Sequence, residues 1–145
     1  MKKIYLAGPW FSPEMEEEHT RIYNCIKNNF DVFNPKLESL ITPDSTADDM
    51  SQTLIGNIEG IKSADLILAI YDRKDTGTIW ECGCAYAFKK PILYYAETLN
   101  NKPFNLMLAK TGNFVDNMQA LEHALNNKDT FVYKDVYHSY KGKVE

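Results

Sequence analysis

The chain has 145 residues, 44% of them hydrophobic and 25% charged, with a formal net charge of -4. That length suits one domain spanning 1–145, able to bury about two-thirds of its unfolded surface without help from disulfides or metals. The composition excludes a disordered chain, and an acidic balance without a basic stripe argues against nucleic acid as a partner. No run approaches the roughly 20 apolar residues of a membrane span. Pro9 and the acids from Glu14 to Glu18 end the first apolar stretch too early for a signal peptide. Cys25, Cys82 and Cys84 lack framework spacing, which suggests reduced thiols and a cytoplasmic protein. Cys82 and Cys84 read as small core residues on a helix rather than half of a metal site.

In chain order, Lys3 to Gly8 reads as a short buried strand ending at Gly8-Pro9. Ser12 caps the following helix, Pro13 takes its first position, and Ile22, Cys25 and Ile26 form its apolar stripe. Phe30 to Phe33 is a second strand, closed by Asn34-Pro35. Leu37 to Asp48 reads as a loop, and Ala47 to Ser63 as a helix with Met50, Leu54, Ile58 and Ile61 on one face. Ala64 to Tyr71 is apolar on both faces, as a central parallel strand should be. Asp72 to Asp75 then turns into a helix over Thr76 to Lys90, followed by a strand over Pro91 to Ala96. Asn105 to Leu108 reads as a short helix, and Phe114 to Asn126 as a helix or a strand plus a helix. The alternation of strand and helix predicts a parallel sheet with helices on both faces. Ligands of such sheets bind at the carboxyl ends of the strands, which gathers Gly8 to Phe11, Asn34 to Leu40 and Asp72 to Glu81 around one crevice.

Glu81 is the solitary carboxylate between Asp75 and Lys89, set among apolar and small neighbours. A carboxylate there is costly to ionise unless hydrogen bonds compensate, and such perturbed acids concentrate at functional sites. The competing reading puts Glu81 on an exposed helix edge. Asp75, six residues upstream, reaches the same crevice from the turn. Two carboxylates serve glycoside chemistry, one at the sugar carbon and one in proton transfer at the leaving group. Asp75 reads equally well as the helix N-cap, a job for which Thr76 competes. Gly77 and Gly83 weaken the helix by about 1 kcal/mol each relative to alanine, which a close ligand or a packed backbone would explain. Trp10 and Phe11 follow strand-end Gly8 and are suited to stack a flat base, or else to cover the core edge. This loop has neither phosphate-loop spacing nor a cation.

Three blocks resemble the nucleoside 2-deoxyribosyltransferases. They are Ile4-Tyr5-Leu6-Ala7-Gly8-Pro9-Trp10-Phe11, Asp75-Thr76-Gly77-Thr78-Ile79-Trp80-Glu81-Cys82-Gly83, and Lys102-Pro103-Phe104-Asn105-Leu106-Met107. The resemblance implies a flavodoxin-like α/β three-layer sandwich with a central parallel sheet of about five strands. It implies transfer of a 2-deoxyribosyl group between nucleobases through a covalent sugar–glutamate ester, with no metal and no cofactor. Glu81 would be the nucleophile, Tyr5 would hydrogen-bond it, and Asp75 would contact the base and assist its protonation. Gly8, Trp10, Phe11 and Gly77 would line the pocket. Substrates would be a deoxynucleoside and a free nucleobase. The family forms homo-oligomers, dimers or hexamers built from them, in which Asn105 and Met107 complete a neighbour's site. Asn57 stands where the family often carries an aspartate on the sugar hydroxyls; it keeps hydrogen-bonding capacity without charge. Glu38 and Ser39 stand where a base-contacting glutamine is expected. The alternatives are a hydrolase of deoxynucleoside 5'-monophosphates with the same nucleophile, and a non-catalytic nucleoside-sensing module.

Overall fold

In the computed structural model, which describes residues 1–39 and 41–145, five strands form one parallel sheet. The strands are β1 (Lys3–Ala7), β2 (Asp31–Phe33), β3 (Leu66–Ile70), β4 (Ile92–Tyr95) and β5 (Asn113–Val115), in the order β2-β1-β3-β4-β5. That order reverses direction between β1 and β3, and the crevice at such a switch point is where open α/β sheets bind ligands. Between the strands run α1 (Pro13–Ile26), α2 (Pro35–Glu38), α3 (Ala47–Ser63), α4 (Thr76–Ala87) and α5 (Leu106–Thr111), with α6 (Met118–Leu125) after β5.

Strand residues alternate between the two sides of a sheet, and here both sides are apolar because both are covered. Tyr5, Ala7, Ile67, Ala69 and Tyr94 face α3, α4 and α5 through Ile61, Cys82, Ala85 and Leu108. Ile4, Leu6, Leu66, Leu68 and Leu93 face α1 and α6 through Ile22, Ile26 and Leu121. The expected three-layer α/β architecture with five parallel strands is thus present. Among the described residues no helix is long and apolar enough to cross a membrane.

Helix starts follow side-chain oxygens placed to accept otherwise unpaired backbone amides. Ser12 accepts from the Met15 amide at 3.2 Å, and Thr46 and Asp49 form a reciprocal capping box on α3. Asn34 accepts from the Lys36 amide with Pro35 at the first helical position, so part of the expected 37–48 loop is the short helix α2. α4 stops at Ala87 rather than Lys90, and Lys89 turns the chain with a φ of 57°. The segment after residue 113 resolves into a strand and a helix. The apolar face expected on α3 is buried only toward its end. Ile61 is fully buried, whereas Met50 and Leu54 are 51% and 50% exposed. The reason is distance from the sheet: α3 meets it near Gly60, and its first turns project beyond.

Past α6 the chain crosses back over the α5 side. Tyr140 packs on Phe104 at 5.1 Å between centroids, and the Phe104 amide donates to the Lys143 carbonyl at 2.9 Å. Gly112 joins α5 to β5 in tight contact: a Cβ there would lie 2.6 Å from the Ile92 carbonyl oxygen and 2.8 Å from the Tyr94 ring. Overpacking against backbone costs about 1–3 kcal/mol. Gly112→Ala is expected to lower the urea unfolding midpoint accordingly, while Gly83→Ala, with nothing within 4 Å, leaves it unchanged or higher.

Candidate active site

The loop after β1, the start of α2, α3 and α4 meet where the sheet order reverses, and their residues line a cavity of about 260 Å³. Its polar side chains are Asn57, Asp75, Thr78 and Glu81, and its walls include Trp10, Phe11 and Trp80. The mouth of this cleft is open, as the exposure of Phe11 (69%) and Trp80 (54%) shows.

Glu81 reaches the cleft because of its place on α4. It lies three residues after Thr78 and four before Ala85, both buried, and residues at those spacings share a helix side. The helix rests on the sheet side that carries Tyr5, and the Tyr5 hydroxyl donates a short hydrogen bond to Glu81 Oε2. Tyr5 itself is fully buried, stacked on Phe33 at 5.3 Å with the rings 9° apart. Burial pushes the Glu81 carboxyl up to about 7; the Tyr5 hydrogen bond opposes that rise and the Asp75 charge adds to it. Burial and the neighbouring Glu81 charge raise Tyr5 far above the ordinary phenol range, so Tyr5 acts as a donor and not as a base.

Asp75 combines both jobs the sequence left open. Its Oδ2 accepts from the Thr78 amide and the Thr78 hydroxyl, each at 2.9 Å, so Asp75 and not Thr76 caps α4. Asp75 also lines the cleft, and its Oδ1 has no hydrogen-bond partner among the described residues. Gly77 lines the cleft from an exposed position, where a Cβ would meet only Asp75 Oδ2, at 3.4 Å. Gly83 does not: it is exposed with open space around it, so neither a ligand nor close helix–strand contact explains it. Gly8 is buried against Ile70, and a Cβ there would come within 2.8 Å of Ile70 Cδ1. Trp10 is steadied by Phe11 at 5.0 Å and by the edge of His19 at 5.8 Å, a histidine whose burial lowers it to about 4 and keeps it neutral.

Cys82 is in the core and Cys84 half-buried beside it. Asn105 and Met107 are not brought to this chain's own cleft. The Asn105 side-chain Oδ1 caps α5, accepting from the amides of Met107 at 2.9 Å and Leu108 at 3.3 Å, and Met107 is 69% exposed. Glu38 and Ser39 line an adjoining recess that shares Asn57 with the cleft. Leu40 lies outside the described residues. Pro35, Thr78 and Trp80 lie in the segments expected around the crevice but were not singled out, and Leu54 was missed altogether. Trp80 had a readable signal, a bulky aromatic next to a solitary carboxylate; Leu54 had none, since it looked like core. A larger cavity, about 590 Å³, lies beyond Asp72 at the ends of β3 and β4, but it contains neither Glu81 nor Asp75.

The family model of the nucleoside 2-deoxyribosyltransferases matches residues 4–118, a stretch that holds Tyr5, Asn57, Asp75, Glu81 and Asn105. The chain belongs to that family. Among solved structures, this family member is similar to a 2-deoxyribosyltransferase from Bacillus psychrosaccharolyticus, with a TM-score of 0.75, 24% identity and coverage of 94% of this chain and 99% of that one. It is similar to a conserved protein from Enterococcus faecalis V583, with a TM-score of 0.58, 24% identity and coverage of 92% and 80%. It is also similar to the CMP N-glycosidase BcmB of Clostridium botulinum, with a TM-score of 0.55, 20% identity and coverage of 84% and 98%. A search of curated proteins gave no match. At these identities the structural likeness speaks for the fold, and family membership supports a deoxyribosyltransferase-like or N-glycosidase chemistry.

The cleft carries a pH signature of its own. Glu81 holds its proton more tightly folded than unfolded, so ionising it weakens the fold. That penalty is absent below the ordinary carboxylate range and complete above about pH 7. Glu81→Gln is therefore expected to raise the Tm at pH 8 by more than at pH 4. Tyr5→Phe removes the hydrogen bond that opposes the rise, and carbon NMR of the Glu81 carboxyl should then titrate above 7.

Proposed function

We propose that the protein transfers a 2-deoxyribosyl group between nucleobases through a covalent ester on Glu81. The observation that carries this reading is the Tyr5 hydroxyl bonded to Glu81 Oε2 inside a cleft walled by aromatics. The bond orients one carboxylate oxygen and leaves Oε1 to approach the anomeric carbon. As the C1'–N bond breaks, its electron pair leaves with the base, positive charge builds on the sugar, and the fixed Glu81 anion stabilises it in low-dielectric surroundings. A carboxylate then closes on C1', and the base takes up a proton with the help of Asp75 across the cleft. The second base attacks C1' from the vacated side, releases Glu81, and returns the proton. Proton transfer of this kind contributes about 10²–10⁴-fold. Asn57 offers donors and acceptors to the sugar hydroxyls. Trp10, Phe11 and Trp80 offer flat faces to the base.

Nucleosides fit this cleft better than 5'-monophosphates. No lysine or arginine lines it among the described residues, whereas two carboxylates do, so a phosphate would meet repulsion without a counter-charge. Transfer also needs water kept out while the ester waits for its second base. An open cleft rimmed by exposed Phe11, Leu54 and Trp80 calls for a cover, and a second copy presenting Asn105 and Met107 supplies one. The functional unit under this reading is a homo-oligomer, dimeric or hexameric, in the cytoplasm.

Incubation with thymidine and adenine is expected to yield deoxyadenosine; release of free deoxyribose alone would make the protein a hydrolase. Glu81→Ala is expected to lower turnover at least a thousandfold with nucleoside binding kept, and unchanged turnover would refute the role of Glu81. A 2-fluorinated deoxynucleoside should trap an adduct on the peptide containing Glu81. Met107→Arg is expected to reduce the mass seen by light scattering and to lower exchange with it; loss of neither would remove the shared-site reading.

A further inference from the structure

Behind the cleft lies a second set of acids on which the proposed transfer does not draw. Glu18 on α1 and Asp72 after β3 are each 2% exposed, among the most buried charged side chains described. Glu18 Oε1 accepts from Arg73 Nη1 at 2.7 Å. Glu18 Oε2 is buried with no ordinary donor near it. Asp72 accepts from the Glu97 amide at 3.0 Å, the Thr98 amide at 2.9 Å and the Thr98 hydroxyl. A third acid, Glu97, is matched two-to-two by Arg21, at 2.7 and 2.9 Å, and receives the Tyr95 hydroxyl. Arg21 also holds Glu17 at the surface. Next to Glu18 on α1, His19 is neutral.

Counting charges then leaves two buried carboxyls, Glu18 and Asp72, and one guanidinium, Arg73. An unmatched buried anion is expensive enough that one group takes a proton instead. Asp72 has three donors and is the better anion. Glu18 and Asp72 stand as hydrogen-bonding neighbours, and the buried Glu18 Oε2 has no other partner among the described residues. A proton on Glu18 Oε2 satisfies both. We propose that Glu18 is a positioning residue, whose carboxylic acid donates from Oε2 to Asp72 and accepts Arg73 on Oε1, so clamping the turn that delivers Asp75 to the cleft.

The turn needs a clamp. Arg73 and Lys74 have φ of 69° and 50°, left-handed conformations that cost a non-glycine residue about 1 kcal/mol or more each. They directly precede Asp75, which caps the helix that carries Glu81. α1 also steadies the aromatic loop through His19 and Trp10, so one helix registers both walls of the site. Burial first, then the Asp72 bond and the Asp72 and Glu97 charges, raise Glu18 to about 9 against the pull of Arg73. Burial opposes ionisation of Asp72 too, but its bonds from Glu18, Thr98 and Glu97 outweigh that and lower it. The clamp is intact below pH 9 and opens as pH rises through it, when two anions face one guanidinium.

The catalytic side of this proposal rests on Asp75 serving the proposed transfer; the shared proton does not. Glu18→Gln keeps both bonds, with its amide donating to Asp72 and its carbonyl accepting Arg73, but cannot ionise. It is expected to keep kcat within about twofold of the wild type and to lose the alkaline fall in kcat near pH 9. Glu18→Ala is expected to lower kcat about 10–100-fold, as misplaced catalytic groups do, with a smaller change in KM. Two readouts need no turnover. At pH 7 the infrared spectrum of the wild type should contain a protonated-carboxyl band that Glu18→Gln removes. Exchange of the Thr78 amide, bound to Asp75, should quicken at least tenfold in Glu18→Ala and not in Glu18→Gln. No such infrared band, or a Glu18→Gln as impaired as Glu18→Ala, overturns the proposal. Absence of exchange by the wild type counts against the transfer reading alone, and the infrared band and the Thr78 amide then decide.

Discussion

The hydrogen bond from Tyr5 to Glu81 couples the first strand to the fourth helix, and much of the surrounding architecture serves to make it possible. Tyr5 must be at the middle of β1, between Phe33 and Ile67, to stand under α4. Phe33 stacks on it from β2, and Phe33 can lie there because Gly60 on α3 has no side chain: a Cβ would sit 3.0 Å from the ring. Thr78, Cys82 and Ala85 anchor α4 so that Glu81 meets the hydroxyl. A residue on α3, a ring on β2, a phenol on β1 and an acid on α4 thus form one line of contact, and the orientation of the acid is its end point.

The protein handles its buried acids in two opposite ways. At the cleft it brings two carboxylates to one cavity with no lysine or arginine among the described lining residues, and burial, with the Asp75 charge adding to it, raises Glu81 to about 7. A few residues away it surrounds Glu18, Asp72 and Glu97 with Arg73, Arg21 and backbone amides. The arrangement without a lysine or arginine among its described lining residues faces the open crevice, and the one held by two guanidiniums lies beside it. Binding sites keep unmet interactions for a ligand to complete, whereas scaffolds complete their own.

What distinguishes this family member from a bare sandwich fold is concentrated at the carboxyl ends of β1, β2 and β3, in the turns there and in the faces of β1, α3 and α4 that carry Tyr5, Asn57 and Glu81. The sheet and its helices are common to many functions, and the chemistry comes from the residues that those turns present. The open rim, with Phe11, Leu54 and Trp80 exposed, leaves the single chain an incomplete enclosure for the ester proposed on Glu81.

Residue order alone determined most of the element sequence, all but α2 and β5, together with the parallel sheet and the crevice, because strand periodicity, capping residues and helix stripes are local properties read within a few turns. It also singled out Glu81 by the absence of other charges nearby, and the family motif named Tyr5 as its partner. It could not tell whether Asp75 caps the helix or faces the cleft, because both follow from the same position; only the assembled turn showed both. It took Met50 and Leu54 for core, since an apolar stripe looks the same whether it meets a sheet or runs past its edge. Glu18 looked like one of a run of surface acids. Its burial depends on Arg73, 55 residues away, and on Asp72 beside it, a meeting that exists only once α1 is laid across the end of β3.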